Sequence, residues 1–113
     1  MKWTVTTLNK TVDKEINALD VTFRAKLVHI AEMLERFGPE NVREPYCKPL
    51  GNKLWEIRLK ARPGIARAIY VTRKGGRIVI LHAFVKKSQK TPKQAIEIAL
   101  KRLAMLNKEE TVQ

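Results

Sequence analysis

The chain is poor in the residues that build metal centres and disulfides. It has one cysteine, Cys47, and two histidines, His29 and His82, which lie far apart in sequence. One cysteine excludes an internal disulfide and a cysteine-built zinc site, and two isolated histidines lack metal-ligand spacing. Cys47 lies between two prolines with no histidine or asparagine nearby in sequence, so we expect a packing or surface thiol rather than a nucleophile. We therefore expect neither a metal nor a cofactor.

Long apolar runs and acidic residues are also scarce. No run approaches the roughly 20 apolar residues that span a bilayer, and the N-terminus lacks the apolar core of a signal peptide. We therefore expect a cytoplasmic protein without membrane contact. Only 11 acidic residues stand against 23 Lys and Arg, which gives a formal net charge of +12. Such an excess favours binding to nucleic acid or to an acidic protein, with a merely solvated basic face as the alternative.

The length of 113 residues allows one modest hydrophobic core. We predict a single domain over residues 1–113, with a tail that is frayed from about residue 107. Residues 39–52 contain three prolines and a glycine, so we expect a loop there rather than a regular element.

The N-terminal third predicts a strand followed by a helical hairpin. Residues 2–8 are rich in β-branched and aromatic residues, as in a strand. Asn9 or Thr11 can cap a first helix, and Asp20 can cap a second that ends at Gly38. The second helix has an apolar stripe at helical spacing, formed by Phe23, Leu27, Ile30, Leu34 and Phe37. The apolar sides of both helices need a sheet to cover.

Residues 53–93 predict three strands with a large excess of positive charge. The strands are expected at residues 54–60, 65–73 and 77–84, joined by turns at residues 61–64 and 74–76. The first strand alternates, with apolar Trp55, Ile57 and Leu59 on one face and Glu56, Arg58 and Lys60 on the other. This alternation predicts one buried face and one wet, cationic face.

The end of the chain predicts a helix with clear start signals. Thr91 fits the N-cap, Pro92 the first helical position, and Gln94 completes a capping box. The apolar side of this helix is formed by Ile96, Ala99, Leu100, Leu103 and Leu106.

A cluster of Lys and Arg on one sheet face is suited to phosphate chemistry. It can bind phosphates electrostatically, or it can stabilise the extra negative charge of a pentavalent phosphorane. RNA carries its own nucleophile, the 2′-hydroxyl, so a protein need supply only alignment and charge to cleave it. Composition alone leaves binding and cleavage both open.

The candidate site residues follow from this pattern. The candidates for catalysis are Arg58, Lys60, Arg67, His82, Lys86 and Lys87. Arg67 sits among apolar residues, where a bulge can re-aim it, so it either pairs with Glu56 or serves the site. His82 is either an acid–base group near neutral pH or a buried core histidine. Trp55 and Tyr70 are expected in the core. The candidates for RNA binding are Lys53, Arg62, Arg73, Lys90 and Lys93.

Three segments of the basic block form a recognisable set. They are Leu54-Trp-Glu-Ile-Arg58, Arg67-Ala-Ile-Tyr70 and the run from Ile80 to Pro92, whose most specific part is Phe84-Val-Lys-Lys-Ser-Gln-Lys-Thr-Pro92. Together they resemble the RelE/ParE superfamily of toxins, in particular its phage-derived HigB-like branch, over roughly residues 3–107. The resemblance implies an α+β fold: a small, mainly antiparallel sheet with an N-terminal helical hairpin and a C-terminal helix, the helices packed on one side.

The resemblance also implies a function. Members of the RelE type are toxins of type II toxin–antitoxin systems, endoribonucleases (mRNA interferases) that cleave mRNA in the ribosomal A site and so inhibit translation. Carried onto this chain, Arg58, Lys60, Arg67 and Lys86 or Lys87 would bind and activate the scissile phosphate. His82 falls where some branches use a histidine.

The resemblance implies partners as well. They are a protein antitoxin, usually of helix-turn-helix type in this branch, and the ribosome with its mRNA. Operator DNA would be bound only through the antitoxin complex.

The chain departs from the RelE pattern at two points, which leaves alternatives open. Glu56 stands where relatives often carry a basic residue, and no tyrosine follows Phe84, so the general base is undecided between His82 and Glu56. ParE-like members act on gyrase, and the fold alone does not separate the two activities. Retention of Arg58, Arg67 and Lys86 favours RNA cleavage. A gyrase-poisoning toxin and a non-catalytic nucleic-acid-binding module are the alternatives.

Overall fold

The computed structural model describes residues 2–87 and 91–112. The strands in these ranges are β1 (Thr4–Thr7), β2 (Cys47–Gly51), β3 (Leu54–Ala61), β4 (Gly64–Arg73) and β5 (Arg77–Lys86). The α-helices in the same ranges are α1 (Lys10–Asn17), α2 (Val21–Phe37) and α3 (Lys93–Val112). The strands form one sheet in the order β1-β5-β4-β3-β2, in which β1 pairs with β5 in parallel and the other pairs are antiparallel. The predicted α+β class with a mainly antiparallel sheet is confirmed.

The helical hairpin α1–α2 covers one face of the sheet. Its caps are as predicted: the Asn9 side chain accepts from the Val12 N–H at 3.1 Å, and Asp20 accepts from the Thr22 N–H at 2.9 Å. The apolar stripe of α2 is buried except at Phe37, which is 54% exposed. The prediction for Phe37 was wrong because this last helical residue turns its ring to solvent, 5.6 Å from the Arg36 guanidinium.

Helix α3 lies on the opposite face of the sheet. Its residues Ala95, Ala99 and Leu106 pack against Leu54, Ile69, Val71, Val79 and Leu81. The expectation that all helices lie on one side was therefore wrong. The reason is that the middle strands are apolar on both faces, so each face needs a covering layer.

Helix α3 also differs from the prediction at both ends. It begins at Lys93 rather than at Pro92, and the Thr91 hydroxyl donates to Glu56 instead of capping the helix. It continues to Val112, so the expectation of a frayed tail from about residue 107 was wrong. Arg73 and Arg77, which flank the β4–β5 turn, both contact Glu110, at 3.0 and 2.8 Å. These ion pairs stabilise the last turns of the helix.

The segment 39–52, predicted as a loop, contains a short 3₁₀ turn at Pro39–Asn41 and strand β2. Its Pro49 is compatible with a strand because β2 lies at the edge of the sheet and pairs only with β3. Cys47 is fully buried at the start of β2, and burial raises the pKa of its thiol to about 12. This confirms a packing role for the cysteine.

The two predicted turns are confirmed. The β3–β4 hairpin closes with Ala61 opposite Gly64, and the β4–β5 turn has Gly75 and Gly76 at φ 82° and 74°. Left-handed backbone of this kind favours glycine. In the part of the chain that the structure describes, no helix combines the length and the apolar character needed to cross a membrane.

Candidate active site

The strand register brings three of the candidate cations together. Arg58 on β3 lies directly opposite Arg67 on β4. On β5, Phe84 lies opposite Arg67 and Lys86 lies opposite Ile65, so Lys86 is a diagonal neighbour of Arg67 on the same face. The β4–β5 register shift falls between Ile69 and Tyr70, so no bulge re-aims Arg67. Like charges opposite each other are destabilising, and this fold nevertheless retains them.

One buried carboxylate lies among these cations. Glu56 is only 1% exposed; it accepts from Arg67 Nε at 3.1 Å and from the Thr91 hydroxyl. Lys48 on β2 lies opposite Glu56. The prediction of a wet face was therefore wrong at Glu56, because Arg67 and Thr91 cover it. We call Lys48, Glu56, Arg58, Arg67 and Lys86 the cationic cluster.

The cluster is held against an electrostatic cost. Burial lowers the pKa of the Arg67 guanidinium; Glu56 opposes this effect, and the neighbouring Arg58 adds to it. Burial likewise lowers the pKa of the Lys86 ammonium group, and Arg67 lowers it further. Both side chains are nearly inaccessible, at 2% and 5% exposure. The excess of positive charge within one small area suits an anionic ligand.

A cleft of about 330 Å³ opens beside the cationic cluster. It lies at the edge of β3, where the pairing with β2 ends at Ile57 and the Arg58 N–H donates to the Tyr46 carbonyl at 2.7 Å. The cleft is lined by Lys26, His29, Ile30, Pro45, Tyr46, Arg58, Lys60, Ile65 and Arg67. It thus combines cationic, aromatic and aliphatic side chains in a volume that fits a small ligand or one part of a larger one.

Sequence reasoning missed three residues of this cleft that have polar side chains. Lys26 and His29 lie one turn apart on α2, a helix interpreted as scaffold, and Tyr46 lies in the segment interpreted as a loop. The only signal in the sequence is the i, i+3 spacing of Lys26 and His29, which places them side by side on a helix. Their meeting with β3 depends on how α2 crosses the sheet.

His82 belongs to a different group of side chains. It is 8% exposed, its Nδ1 donates to Glu15 Oε1 at 2.9 Å, and its ring stacks on Phe84 at 4.9 Å. Arg102 on α3 donates to Glu15 Oε2 at 2.8 Å. His82 precedes Lys86 by four residues, or about 13 Å along an extended strand. Across the sheet, His82 lies opposite Ile69, which lies opposite Glu56. The His82 ring contacts Glu15, Arg102 and Phe84, and we call Glu15, His82 and Arg102 the Glu15 network.

The remaining candidates are dispersed. Lys60 is exposed at the cleft, and exposed positions are also occupied by Arg62, Lys87 and Lys93. Lys53 and Arg73 lie at the opposite end of the sheet, where Arg73 pairs with Glu110. Lys90 lies outside the described residues.

Trp55 and Tyr70 belong to the core as predicted, with their rings stacked at 6.3 Å. Across the described residues, no group of three or more His, Cys, Asp or Glu side chains is placed to hold a metal ion.

Fold and site together define a small α+β protein with a cationic face at one end of its sheet. Residues 14–104 match the family model described as "Phage derived protein Gp49-like (DUF891)", so the chain belongs to this family of phage-derived Gp49-like proteins. No curated protein sequence matches it significantly.

Two solved structures are similar to this chain. A double arginine-to-alanine variant of the E. coli toxin RelE in the free state matches with a TM-score of 0.59 and 17% identity, over 90% of this chain and 98% of that one. The archaeal RelE–RelB complex from Pyrococcus horikoshii OT3 matches with a TM-score of 0.55 and 27% identity, over 77% of this chain and 98% of that one. The predicted membership of the RelE/ParE superfamily and the RelE-like fold are confirmed.

Proposed function

We propose that this protein is the toxin of a type II toxin–antitoxin system and acts as a ribosome-dependent endoribonuclease. It cleaves mRNA in the ribosomal A site and thereby stops translation. The observation that carries this proposal is the convergence of Arg58, Arg67 and Lys86 on one face around a single buried carboxylate, Glu56. Membership of the Gp49-like family and the RelE-like fold support the same class.

In the proposed reaction the scissile phosphate of the mRNA lies against the cationic cluster. The 2′-oxygen of the preceding ribose attacks phosphorus, the bond from phosphorus to the 5′-oxygen breaks, and a 2′,3′-cyclic phosphate and a 5′-hydroxyl result. The 2′-hydroxyl loses one proton and the departing 5′-oxygen gains one. Donors fixed in advance stabilise the charge that develops on the phosphate, and the loss of one such donor typically lowers the rate 10²- to 10³-fold.

The side chains of the cluster have different roles in this proposal. Glu56 orients Arg67 through the 3.1 Å contact, so that the guanidinium does not swing away from the phosphate. Lys86 protonates the departing oxygen, since burial and Arg67 lower its pKa and so ease the release of its proton. Arg58 and Lys60 bind the neighbouring phosphates from the edge of β3. We assign His82 no catalytic role, because its ring contacts Glu15, Arg102 and Phe84 rather than a side chain of the cationic cluster.

The proposal includes a protein partner. We expect an antitoxin, of helix-turn-helix type, to neutralise this chain and to carry it to operator DNA. Support comes from the similar archaeal structure, which is a complex of RelE with RelB, and from the net charge of +12, which favours an acidic partner.

The proposal is tested by incubating the full-length protein with programmed ribosomes and mapping the 3′ and 5′ ends of the mRNA. We expect cuts in the A-site codon only when ribosomes are present, with 2′,3′-cyclic phosphate ends. Lys86→Met should abolish them, whereas the matched variant Lys14→Met, which removes an exposed lysine of α1, should not.

Other outcomes of this test would reject the proposal. Intact mRNA together with inhibition of gyrase supercoiling would indicate a gyrase poison. Intact mRNA together with salt-dependent binding to bare RNA would indicate a non-catalytic binding module.

A further inference from the structure

We infer that the cleft beside Arg58 is a nucleobase subsite. One unstacked base of single-stranded RNA packs against the ring of Tyr46, while its own phosphate contacts Arg58 and Lys60. The inference rests on the proposed function only in taking RNA as the ligand. It adds a binding role for Tyr46, Lys26 and His29, which lie outside the cationic cluster.

Tyr46 presents an accessible aromatic ring in the cleft. Its side chain is 40% exposed in the cleft, next to the apolar surfaces of Pro45 and Ile65. Its backbone is held at both polar atoms: the carbonyl accepts from the Arg58 N–H at 2.7 Å, and the N–H donates to the Arg43 carbonyl at 3.0 Å. An accessible aromatic ring on a held backbone is suited to stacking against an unstacked base.

Cationic side chains line the same cleft as the Tyr46 ring. Arg58 retains 30% side-chain exposure and Lys60 is exposed, so both can reach a phosphate at the mouth of the cleft. An aromatic ring next to cations is the combination by which proteins hold single-stranded nucleic acid. The cleft volume of about 330 Å³ is at the small end of the range for ligand sites, which suits one base and excludes a duplex.

Helix α2 supplies another wall of the cleft. Lys26 and His29 line it, and the lysine ammonium group can only donate hydrogen bonds. Such donors match the acceptor-rich edge of guanine, which presents O6 and N7. Guanosine 3′-monophosphate is therefore the appropriate probe.

The test is a titration of the full-length protein at low salt with guanosine 3′-monophosphate and, separately, with ribose 5-phosphate, which has no base. Chemical-shift changes or calorimetry give the two dissociation constants. We expect the nucleotide to bind at least tenfold more tightly. Tyr46→Ala should remove most of this difference, Tyr46→Phe should preserve it, and Arg58→Gln should weaken both ligands.

A matched control is available in Phe37→Ala, which removes an exposed aromatic ring at the far end of α2. This change should leave both dissociation constants unaltered. Equal affinity for the two ligands, an unchanged nucleotide affinity in Tyr46→Ala, or an equal loss in Phe37→Ala would each overturn the subsite.

This experiment contains no ribosome, so its result is separable from that of the cleavage test. Cleavage with no contribution from the base would reject the subsite and leave the proposed function standing. Binding of the base without cleavage would support the subsite and reject the proposed function.

Discussion

Strand β5 contributes to two buried polar groups that differ in their balance of charge. In the Glu15 network, one carboxylate accepts from Arg102, from His82 and from the Ala83 N–H at 3.1 Å. In the cationic cluster, one carboxylate, Glu56, faces four Lys and Arg side chains. Sequence reasoning selected catalytic candidates from both groups: His82 from the Glu15 network, and Arg58, Arg67 and Lys86 from the cationic cluster.

The pKa shifts of the two groups express this difference. Burial raises the pKa of Glu15, but Arg102 and His82 outweigh burial, and the pKa lies below its ordinary value. The native fold therefore favours the charged form of Glu15, and the network stabilises the packing of α1, β5 and α3. For Lys86 and Arg67 burial dominates and the pKa falls, so the charged forms are held at a cost. The Glu15 network supports the fold, whereas the excess of positive charge in the cationic cluster suits an anionic ligand.

The largest effect is expected when Arg67 is replaced. Arg67→Ala should lower the free energy of unfolding by about 3 kcal/mol, since it leaves Glu56 buried without its cation. It should also lower mRNA cleavage at least 100-fold. Thermal denaturation and the cleavage rate on ribosomes measure the two losses.

The double variant Glu56→Ala/Arg67→Ala separates these two effects. It should recover a large part of the stability, because no unpaired carboxylate remains, and none of the activity. Recovery of cleavage would show that Arg67 acts only through the fold.

A smaller effect is expected from the Glu15 network. Glu15→Gln should lower the free energy of unfolding by about 2 kcal/mol, because the bonds from Arg102 and His82 lose their charged acceptor. Since the pKa of Glu15 is depressed in the fold, the wild-type advantage is present above about pH 4.5 and is lost as the pH falls through the folded-state value.

Denaturant unfolding at several pH values measures this effect. Cleavage per folded molecule should stay within threefold of wild type. A specific loss of cleavage would place Glu15 or His82 in the active site after all.

Removal of a positive charge from the cationic cluster should raise the free energy of unfolding rather than lower it. Lys86→Met should raise the free energy of unfolding by about 1 kcal/mol, because burial and repulsion from Arg67, Lys48 and Arg58 outweigh the attraction of Glu56 for the Lys86 ammonium group. Because the pKa of Lys86 is lowered in the fold, the full gain in stability is expected at pH values where Lys86 is charged in the folded protein. The gain then shrinks as the pH rises from the folded-state pKa towards the ordinary value of 10.5.

The melting temperature as a function of pH tests this prediction. The prediction would be contradicted if Lys86→Met lowered the stability at neutral pH, or if its gain in stability grew in alkaline solution.

The smallest effect concerns the exposed Glu44, which lies 3.4 Å from Arg58 and is 66% exposed. Glu44 competes weakly with a phosphate for this guanidinium, so Glu44→Gln should raise RNA affinity about twofold at low salt. The gain should disappear at high salt. Glu32→Gln, a change at an exposed residue of α2, is the control and should leave the affinity unchanged.

The features that could be predicted from the sequence are those set by nearby residues. The Asn9 and Asp20 caps, the two glycine-containing turns and the core positions of Trp55 and Tyr70 depend on local spacing. The placement of Glu56 and Arg58 on one face of β3 follows from alternation within that strand, whereas the sequence leaves the facing of Arg67 open. These relations extend over few residues, so the pattern carries them.

The features that could not be predicted depend on packing between distant segments. Glu15 and His82 are 67 residues apart and meet only because α1 lies along β5. Glu56 is covered by Thr91, 35 residues further along the chain, a contact that alternation within β3 does not encode. The cleft needs α2 and Tyr46 to meet the edge of β3, a relation that no local pattern contains.

We assign catalysis to the cationic cluster and not to the Glu15 network. This assignment is tested most directly by measuring single-turnover mRNA cleavage on ribosomes for Lys86→Met and His82→Gln, each normalised to folded protein. The account predicts at least a 100-fold loss for Lys86→Met and less than a threefold change for His82→Gln. Near-normal cleavage by Lys86→Met together with a large loss in His82→Gln would contradict it.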